Sequence, residues 1–254
     1  MDIVILGSGN VATNLAKAFD AAGERLLQIY SPNIEHACVL AEQVGAEGIS
    51  NLSEVVRNAD LYIISVKDDA IEQVAQSLTE VSGLVVHTSG TTDLKSLSRY
   101  LKRVGVFYPL QTFSKSRLVS LDDVPLCLES SNDDDLSILI ALAERLSSRV
   151  YQLDGEKRKV LHLSAVFACN FPNHLYVLAA KVLKESGLDF DIMRPLISET
   201  ADKVMSNMPF DVQTGPSVRR DETTINKHLS MLNNLPHLQE IYQTLSNSIK
   251  IIHK

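Results

Sequence analysis

Ile3-Val4-Ile5-Leu6-Gly7-Ser8-Gly9-Asn10-Val11-Ala12 is the stretch on which the reading of the fold turns. Four apolar residues in a row, stopped by glycine, read as a short strand buried on both faces. The next residues are spaced as G-x-G-x-x-A. Helical spacing follows through Val11, Leu15, Ala18 and Phe19 up to Gly23. Alone, the glycine string is weak; between a strand and a helix it has the context that dinucleotide binding requires. Gly7 permits the tight turn, and Gly9 lets the backbone approach a pyrophosphate. Ala12 is small enough for the helix to lie against the strand. The helix start offers free N–H groups and a positive dipole end to phosphate. Gly7, Ser8, Gly9, Asn10 and Val11 are therefore the candidate phosphate-contacting residues. The plainer alternative is an ordinary strand–turn–helix.

Outward from this turn, strand and helix signals alternate. Apolar strand runs stand at 26–30, 61–66, 84–87, 104–107, 124–128 and 150–153, with helical spacing at 34–44, 69–78 and 132–146. Asn132 or Asp133 is placed to cap the last of these helices, and the acids of Asp133-Asp134-Asp135 suit its dipole. Such alternation predicts a mostly parallel sheet covered by helices. After about residue 154 only helical spacing remains, at 157–184, 189–205, 221–232 and 236–252. The expected organisation is an α/β class chain. A Rossmann-type dinucleotide-binding domain spans 1–152, and an all-α domain for substrate and dimerisation spans 153–254.

Composition narrows the function. The 254 residues carry 24 Lys+Arg against 31 Asp+Glu, a formal charge of −7, with 45% hydrophobic and 22% charged residues. That is globular composition, and the acidic balance argues against a nucleic-acid partner. Cys38, Cys127 and Cys169 are too scattered for a thiolate metal site or a disulfide scaffold, and are expected to be buried inert thiols. No metal is expected. The N-terminus lacks a signal-peptide pattern, and apolar runs such as 139–143 are far too short to span a membrane. A cytoplasmic protein without a membrane partner is the expectation.

The ends of the other strands supply further candidates, because ligands in such sheets lie beyond the carboxyl ends. An NAD site carries an acid after the second strand, whereas this chain reads Tyr30-Ser31-Pro32-Asn33, with no acid before Glu35. NADP is therefore preferred to NAD, with Ser31, Asn33 and His36 as candidate contacts to a 2′-phosphate. Ser65, Val66 and Lys67 end another strand, with Asp68 or Asp69 capping the next helix. His87-Thr88-Ser89-Gly90 ends the following one, and His87, Ser89 and Gly90 are candidates near the nicotinamide. His87 is either a proton donor near neutral pH or a structural histidine.

In the helical half, His162, Val166, Cys169, Asn170 and Asn173 fall on one stripe at 3.6 residues per turn, and Pro172 is expected to kink the helix. His162 and Asn170 read as catalytic candidates and Asn173 as a substrate contact; interhelical hydrogen bonds are the alternative. The loop at 213–221 presents Arg219 and Arg220 for a substrate carboxylate, with Asp221 able to cap the next helix.

Together with Tyr108-Pro109-Leu110-Gln111-Thr112-Phe113, these motifs resemble a bacterial family of NADP-binding Rossmann proteins with a helical C-terminal domain. The resemblance covers nearly the whole chain. More distantly the chain is similar to pyrroline-5-carboxylate reductase, 6-phosphogluconate dehydrogenase and ketopantoate reductase. The resemblance implies hydride transfer between NADP(H) and a small substrate at an interdomain cleft, and a homodimer held by the helical domain. The hydroxyacid-dehydrogenase pattern puts a lysine four residues before a helix asparagine. Here Val166 stands four before Asn170, so His162 takes the place of proton donor, with Asn170 orienting the carbonyl. A small 2-oxo acid resembling ketopantoate is the expected substrate. Imine reduction and a non-catalytic NADP(H)-binding regulatory protein are the alternatives.

Overall fold

The computed structural model describes residues 1–254. Eight strands form one sheet: β1 (Asp2–Leu6), β2 (Arg25–Tyr30), β3 (Glu47–Ile49), β4 (Leu61–Ile64), β5 (Leu84–His87), β6 (Val104–Pro109), β7 (Leu126–Ser130) and β8 (Val150–Gln152). Their order is β3-β2-β1-β4-β5-β6-β7-β8. The first six strands in that order are parallel, so the strand order reverses between β1 and β4. That reversal opens the crevice where ligands of such sheets lie.

The apolar runs are continuous because both faces of the sheet are covered. Successive side chains of a strand point to opposite faces. Ile3, Ile5, Leu61, Ile63, Leu84 and Val86 accordingly enter one core, while Val4, Leu6, Tyr62, Ile64 and Val85 enter another. The first core is closed by Leu15 and Phe19 of α1 (Asn10–Ala21), Leu40 of α2 (Ile34–Glu42) and Leu139 of α5 (Asp133–Glu144). The second is closed by Val74 of α3 (Ile71–Gln76) and Leu97 of α4 (Lys95–Ser98).

β6 and β7 pair antiparallel, the exception in the sheet. Residues 110–125 between them form no helix, and a parallel return needs a crossover of that kind. β3 and α4 are not expected from the sequence. Each is only three or four residues long, too short to show a period.

The predicted single helix over 157–184 is three segments: α6 (Gly155–Ala165), a π turn at Val166–Asn170, and α7 (Phe171–Glu185). Pro172 has no N–H to give the carbonyl four residues earlier, and the wide turn lies directly before it. A π turn holds an extra residue, so the stripe counted at 3.6 per turn does not continue through it.

The chain forms two compact units, Met1–Asn170 and Phe171–Lys254. α6 belongs to the first because Arg158, 1% exposed, pairs with Glu129 of β7 and donates to the Thr92 carbonyl at 2.6 Å. The second unit holds α7, a 3-10 turn at Phe190–Met193, α8 (Arg194–Ser206), α9 (Glu222–Met231) and α10 (Pro236–Ile252). Within it Ile225 and Leu238 are buried and His228 Nδ1 meets the Tyr242 hydroxyl at 2.9 Å. α7 and α8 bury no residue. No helix is long and apolar enough to cross a membrane.

Candidate active site

The glycine turn has the geometry its sequence calls for. Gly7 has φ +141°, and a Cβ there would stand 2.1 Å from the Ser65 carbonyl oxygen, so no other residue fits. Gly9 is the N-cap of α1 in an ordinary extended conformation, and a Cβ there would meet nothing within 4 Å. The space above Gly9 is open. The first helical hydrogen bond runs from Thr13 N to Gly9 O at 2.9 Å, so the amides of Asn10, Val11 and Ala12 precede it. No side chain caps this end and no acid stands in its first turn. The contrast with the other capped helices is chemical. Asn33, Asn132, Asp154 and Asp221 each cap their own helix by accepting a backbone N–H. An uncapped N-terminus beneath open space fits a phosphate.

Around the turn, Ser8 donates to Ser31 across 3.0 Å, and Ser31 is 4% exposed at the end of β2. Asn33 spends its side-chain oxygen on Glu35 N at 2.9 Å, leaving its NH2 group open. Ser65 is buried and accepts from the Thr88 hydroxyl at 3.3 Å, while Val66 packs on the second core and Lys67 is exposed. Neither Asp68 nor Asp69 caps a helix, contrary to expectation. Lys67 holds the N-cap position without a side-chain bond, and Asp68 instead accepts from the Thr91 hydroxyl. These residues thus expose small hydroxyls, an amide and open backbone around the turn, with no carboxylate at the end of β2.

At the end of β5 the structural alternative for His87 prevails. Its ring is fully buried and accepts from Ser89 N at 3.2 Å. Burial, reinforced by the Arg158 cation, lowers its pKa to about 3. It is neutral at pH 7 and is not the proton donor considered from the sequence. Ser89 accepts from the amides of Thr91 and Thr92 at 3.1 and 3.0 Å, closing its own loop. Gly90 matters differently. A Cβ there would lie 2.5 Å from His162 Nδ1 and 2.7 Å from its Cγ, so the imidazole rests directly on the Gly90 backbone.

His162 is therefore brought to the carboxyl end of β5 by α6. Arg158 anchors that helix one turn earlier on the same face. His162 Nδ1 lies 3.0 Å from the Tyr108 hydroxyl, and the rings meet edge to face at 6.0 Å between centroids. Nε2 has no protein partner and is not sealed from solvent. Tyr108, on β6, is 8% exposed, and burial pushes its phenol up to about 12, so it stays protonated. The sequence assigns Tyr108 no role. A tyrosine facing a histidine 54 positions away leaves no local signal.

The remaining candidates are not gathered with His162 by any bond. Asn170 ends the π turn and is exposed. Asn173 belongs to the helical unit, where it lines a mainly apolar groove with Tyr176, Val177, Arg194 and Ser198. Arg219 is exposed in the loop before α9, next to Arg220 with φ +55°. Asp221 caps α9 as expected, accepting from Thr224 N at 3.0 Å. The cysteines depart in part from expectation. Cys127 is buried, and desolvation raises its thiol to about 11. Cys38 and Cys169 are exposed, because one lies off the buried face of α2 and the other in the π turn.

Comparison with known proteins accords with this geometry. Residues 2–89 match a family described as NADP oxidoreductase, coenzyme F420-dependent, and residues 124–249 match a domain family of unknown function. No curated protein matches the chain. A crystal structure from Bacteroides fragilis, provisionally named an NADP oxidoreductase, is 47% identical over 98% of this chain and 97% of its own, with a TM-score of 0.94. A Thermotoga maritima protein is 23% identical, covering 98% of this chain and 99% of its own, at a TM-score of 0.79. An imine reductase from Myxococcus stipitatus, crystallised with NADP+, is 14% identical over 98% of this chain and 92% of its own, at 0.66. The last two are likenesses of fold.

Proposed function

The chain belongs to the same family as the Bacteroides fragilis protein provisionally named an NADP oxidoreductase, and on that premise we propose that it is an NADPH-dependent reductase of a small 2-oxo acid resembling ketopantoate. The observation that carries the reading is His162, seated on the Gly90 backbone with Nε2 open, at the strand edge that also holds the uncapped glycine turn. NADPH, when bound, supplies the hydride. The amides at the start of α1 hold its pyrophosphate, and Ser8, Ser31 and Asn33 its adenosine end. Ser65, Val66 and Lys67 line the cofactor from the segment after β4, as the backbones of His87, Ser89 and Gly90 do from the end of β5.

The residues of the chain then handle the proton. A reduced carbonyl leaves an alkoxide. The imidazolium of His162 gives its Nε2 proton to that oxygen and becomes neutral. Reduction of an imine takes up one hydride and one proton as well, the proton before or with the hydride. Asn170 orients the carbonyl; in the helical unit Asn173 and Arg219 are the polar and cationic groups assigned to the substrate, Arg219 to a carboxylate.

A homodimer through the helical unit completes the reading. α7 and α8 bury nothing, yet Val177, Leu196 and Met205 are 57%, 58% and 84% exposed. Apolar faces of that extent are covered by partners in native proteins.

The test has two arms. Thermal stabilisation by NADPH, NADP, NADH and NAD at equal concentration ranks the cofactors by mass action, with NADPH expected first. Consumption of NADPH is then followed with 2-oxo acids and with cyclic imines. Turnover of imines alone would overturn the carbonyl reading. Cofactor binding with silence on both substrate sets would favour a regulatory binding protein. The His162→Ala variant is expected to lose about 100-fold or more in kcat while retaining NADPH binding.

A further inference from the structure

We infer that Tyr108 is the positioning residue of this site: its phenol donates into His162 Nδ1 and so keeps the proton of the neutral imidazole on Nε2, the open edge of the ring. The inference rests on the proposed reductase reading for its purpose, though not for its geometry. Tyr108 is 8% exposed, and its hydroxyl has one hydrogen-bond partner, His162 Nδ1, at 3.0 Å. A buried hydroxyl proton without an acceptor is costly, so the phenol donates where its sole partner lies. Nδ1 is then an acceptor, and the bond made there fixes the tautomer, leaving the proton on the other nitrogen.

The same hydroxyl serves the charged ring. When His162 is protonated, the phenol rotates and accepts from Nδ1–H, because a hydroxyl both donates and accepts. Nε2 carries a proton in the resting neutral ring and in the charged ring; when the charged ring gives that proton up, the remaining proton stays on Nδ1, held by the phenol oxygen, and exchange with solvent restores the resting tautomer. A phenol pushed up to about 12 does not ionise over this range, so it is a spectator in charge. Three further contacts hold the pair. Gly90 has its Cα hydrogens against the imidazole, where any side chain would strike it. Leu161 packs with Tyr108, Val106 and Cys127, which seats the neighbouring residue of α6 on β6 and β7. Arg158, bound to Glu129 and the Thr92 carbonyl, prevents α6 from sliding.

A phenylalanine at 108 keeps the ring and removes only the hydroxyl, so Tyr108→Phe isolates the bond. The full-length protein, labelled with 15N-histidine, is observed by NMR at a pH where His162 is neutral; His162→Gln identifies its signals. The expected result is an Nε2–H tautomer in the wild type and a mixture of tautomers in Tyr108→Phe. In steady state the same variant should lose about tenfold in kcat, a part of the full acid–base contribution. The KM and the NADPH dissociation constant are expected to stay within roughly twofold of wild type, the spread of an untouched binding site.

A wild-type ring protonated at Nδ1 overturns the inference by itself, whether or not the variant folds. An unchanged tautomer in Tyr108→Phe, or an unchanged kcat, does so as well. A wild type that turns over none of the 2-oxo acids or imines instead overturns the reductase reading, and with it any catalytic purpose for Tyr108.

Discussion

β4 and β5 bury every residue they carry, whereas α7 and α8, with as many apolar residues available, bury none. The two regions come from the same chain and from similarly clear periodicity. In the sheet unit the helices that need a partner find it a few residues away, because right-handed crossovers return each one onto the sheet. In the helical unit the amphipathic pattern of α7 leaves apolar side chains exposed, Val177 and Leu175 among them. An amphipathic helix draws most of its stability from packing of its apolar face. The first unit therefore closes its core within one chain, whereas the second leaves apolar side chains of α7 and α8 exposed, the faces that the proposed homodimer would cover.

The largest effect is expected where the sheet unit has least slack. Gly7→Ala forces a left-handed backbone and drives a methyl into the Ser65 carbonyl oxygen. Two backbone segments at the centre of the sheet must part. Backbone strain and overpacking together should cost about 3 kcal/mol or more by chemical denaturation. The NADPH-induced thermal shift should be lost with it. A variant as stable as wild type would show that the β1 turn is not rigid. Next comes the paired substitution Val177→Asp with Leu196→Asp on the exposed helical faces. The wild-type thermal midpoint should rise with protein concentration, as for any dimer, and that dependence should vanish in the variant. Sedimentation equilibrium should show a monomer. A wild-type midpoint independent of concentration would break the comparison at its root.

The same contrast explains what is legible in the sequence. The strand runs at 3–6, 61–64 and 84–87, the glycine turn and the caps Asn132 and Asp221 are local patterns that the fold keeps, whereas the cap expected of Asp68 or Asp69 is not formed. The stripe from His162 to Asn173 does not survive, because one wide turn before Pro172 changes the count; Pro172 announces a break in the helix but not that the break inserts an extra residue. His87 and His162 show the limit for chemistry. By residue type both are candidate proton donors, and what separates them is burial: the first lies sealed beneath the strand end, the second sits on Gly90. Tyr108 stands in a legible motif yet has no legible role, since its partner is distant in sequence.

His87 gives a third prediction, and it sharpens the account of the sheet unit. Its pKa falls from 6.5 to about 3 on folding, chiefly through burial. The unfolded chain thus binds a proton that the folded one refuses. Stability is complete above pH 6.5 and declines as pH falls toward about 3. The decline amounts to a few kcal/mol at most, since a tenfold difference in proton affinity corresponds to about 1.4 kcal/mol. His87→Gln should flatten that acid limb in urea titrations between about pH 7 and pH 4. An unchanged limb would mean that other groups, the paired carboxylates among them, carry the acid sensitivity.

The smallest change in stability is expected from Gly9→Ala, and it is the most informative about ligand binding. Gly9 has φ −78°, which alanine adopts freely, and its Cβ would point into open space. Stability should move by less than about 1 kcal/mol and in the favourable direction, because alanine has less freedom to lose on folding. The open space is where a pyrophosphate would meet the amides of Asn10 and Val11. A methyl there should weaken NADPH binding about tenfold or more, equivalent to about 1.4 kcal/mol. Gly7 and Gly9 are two residues apart and would then fail in opposite ways, one in folding and one in binding. If Gly9→Ala binds NADPH like wild type, the turn is only a connection between β1 and α1. The unused amides at the start of α1 would then need a different ligand.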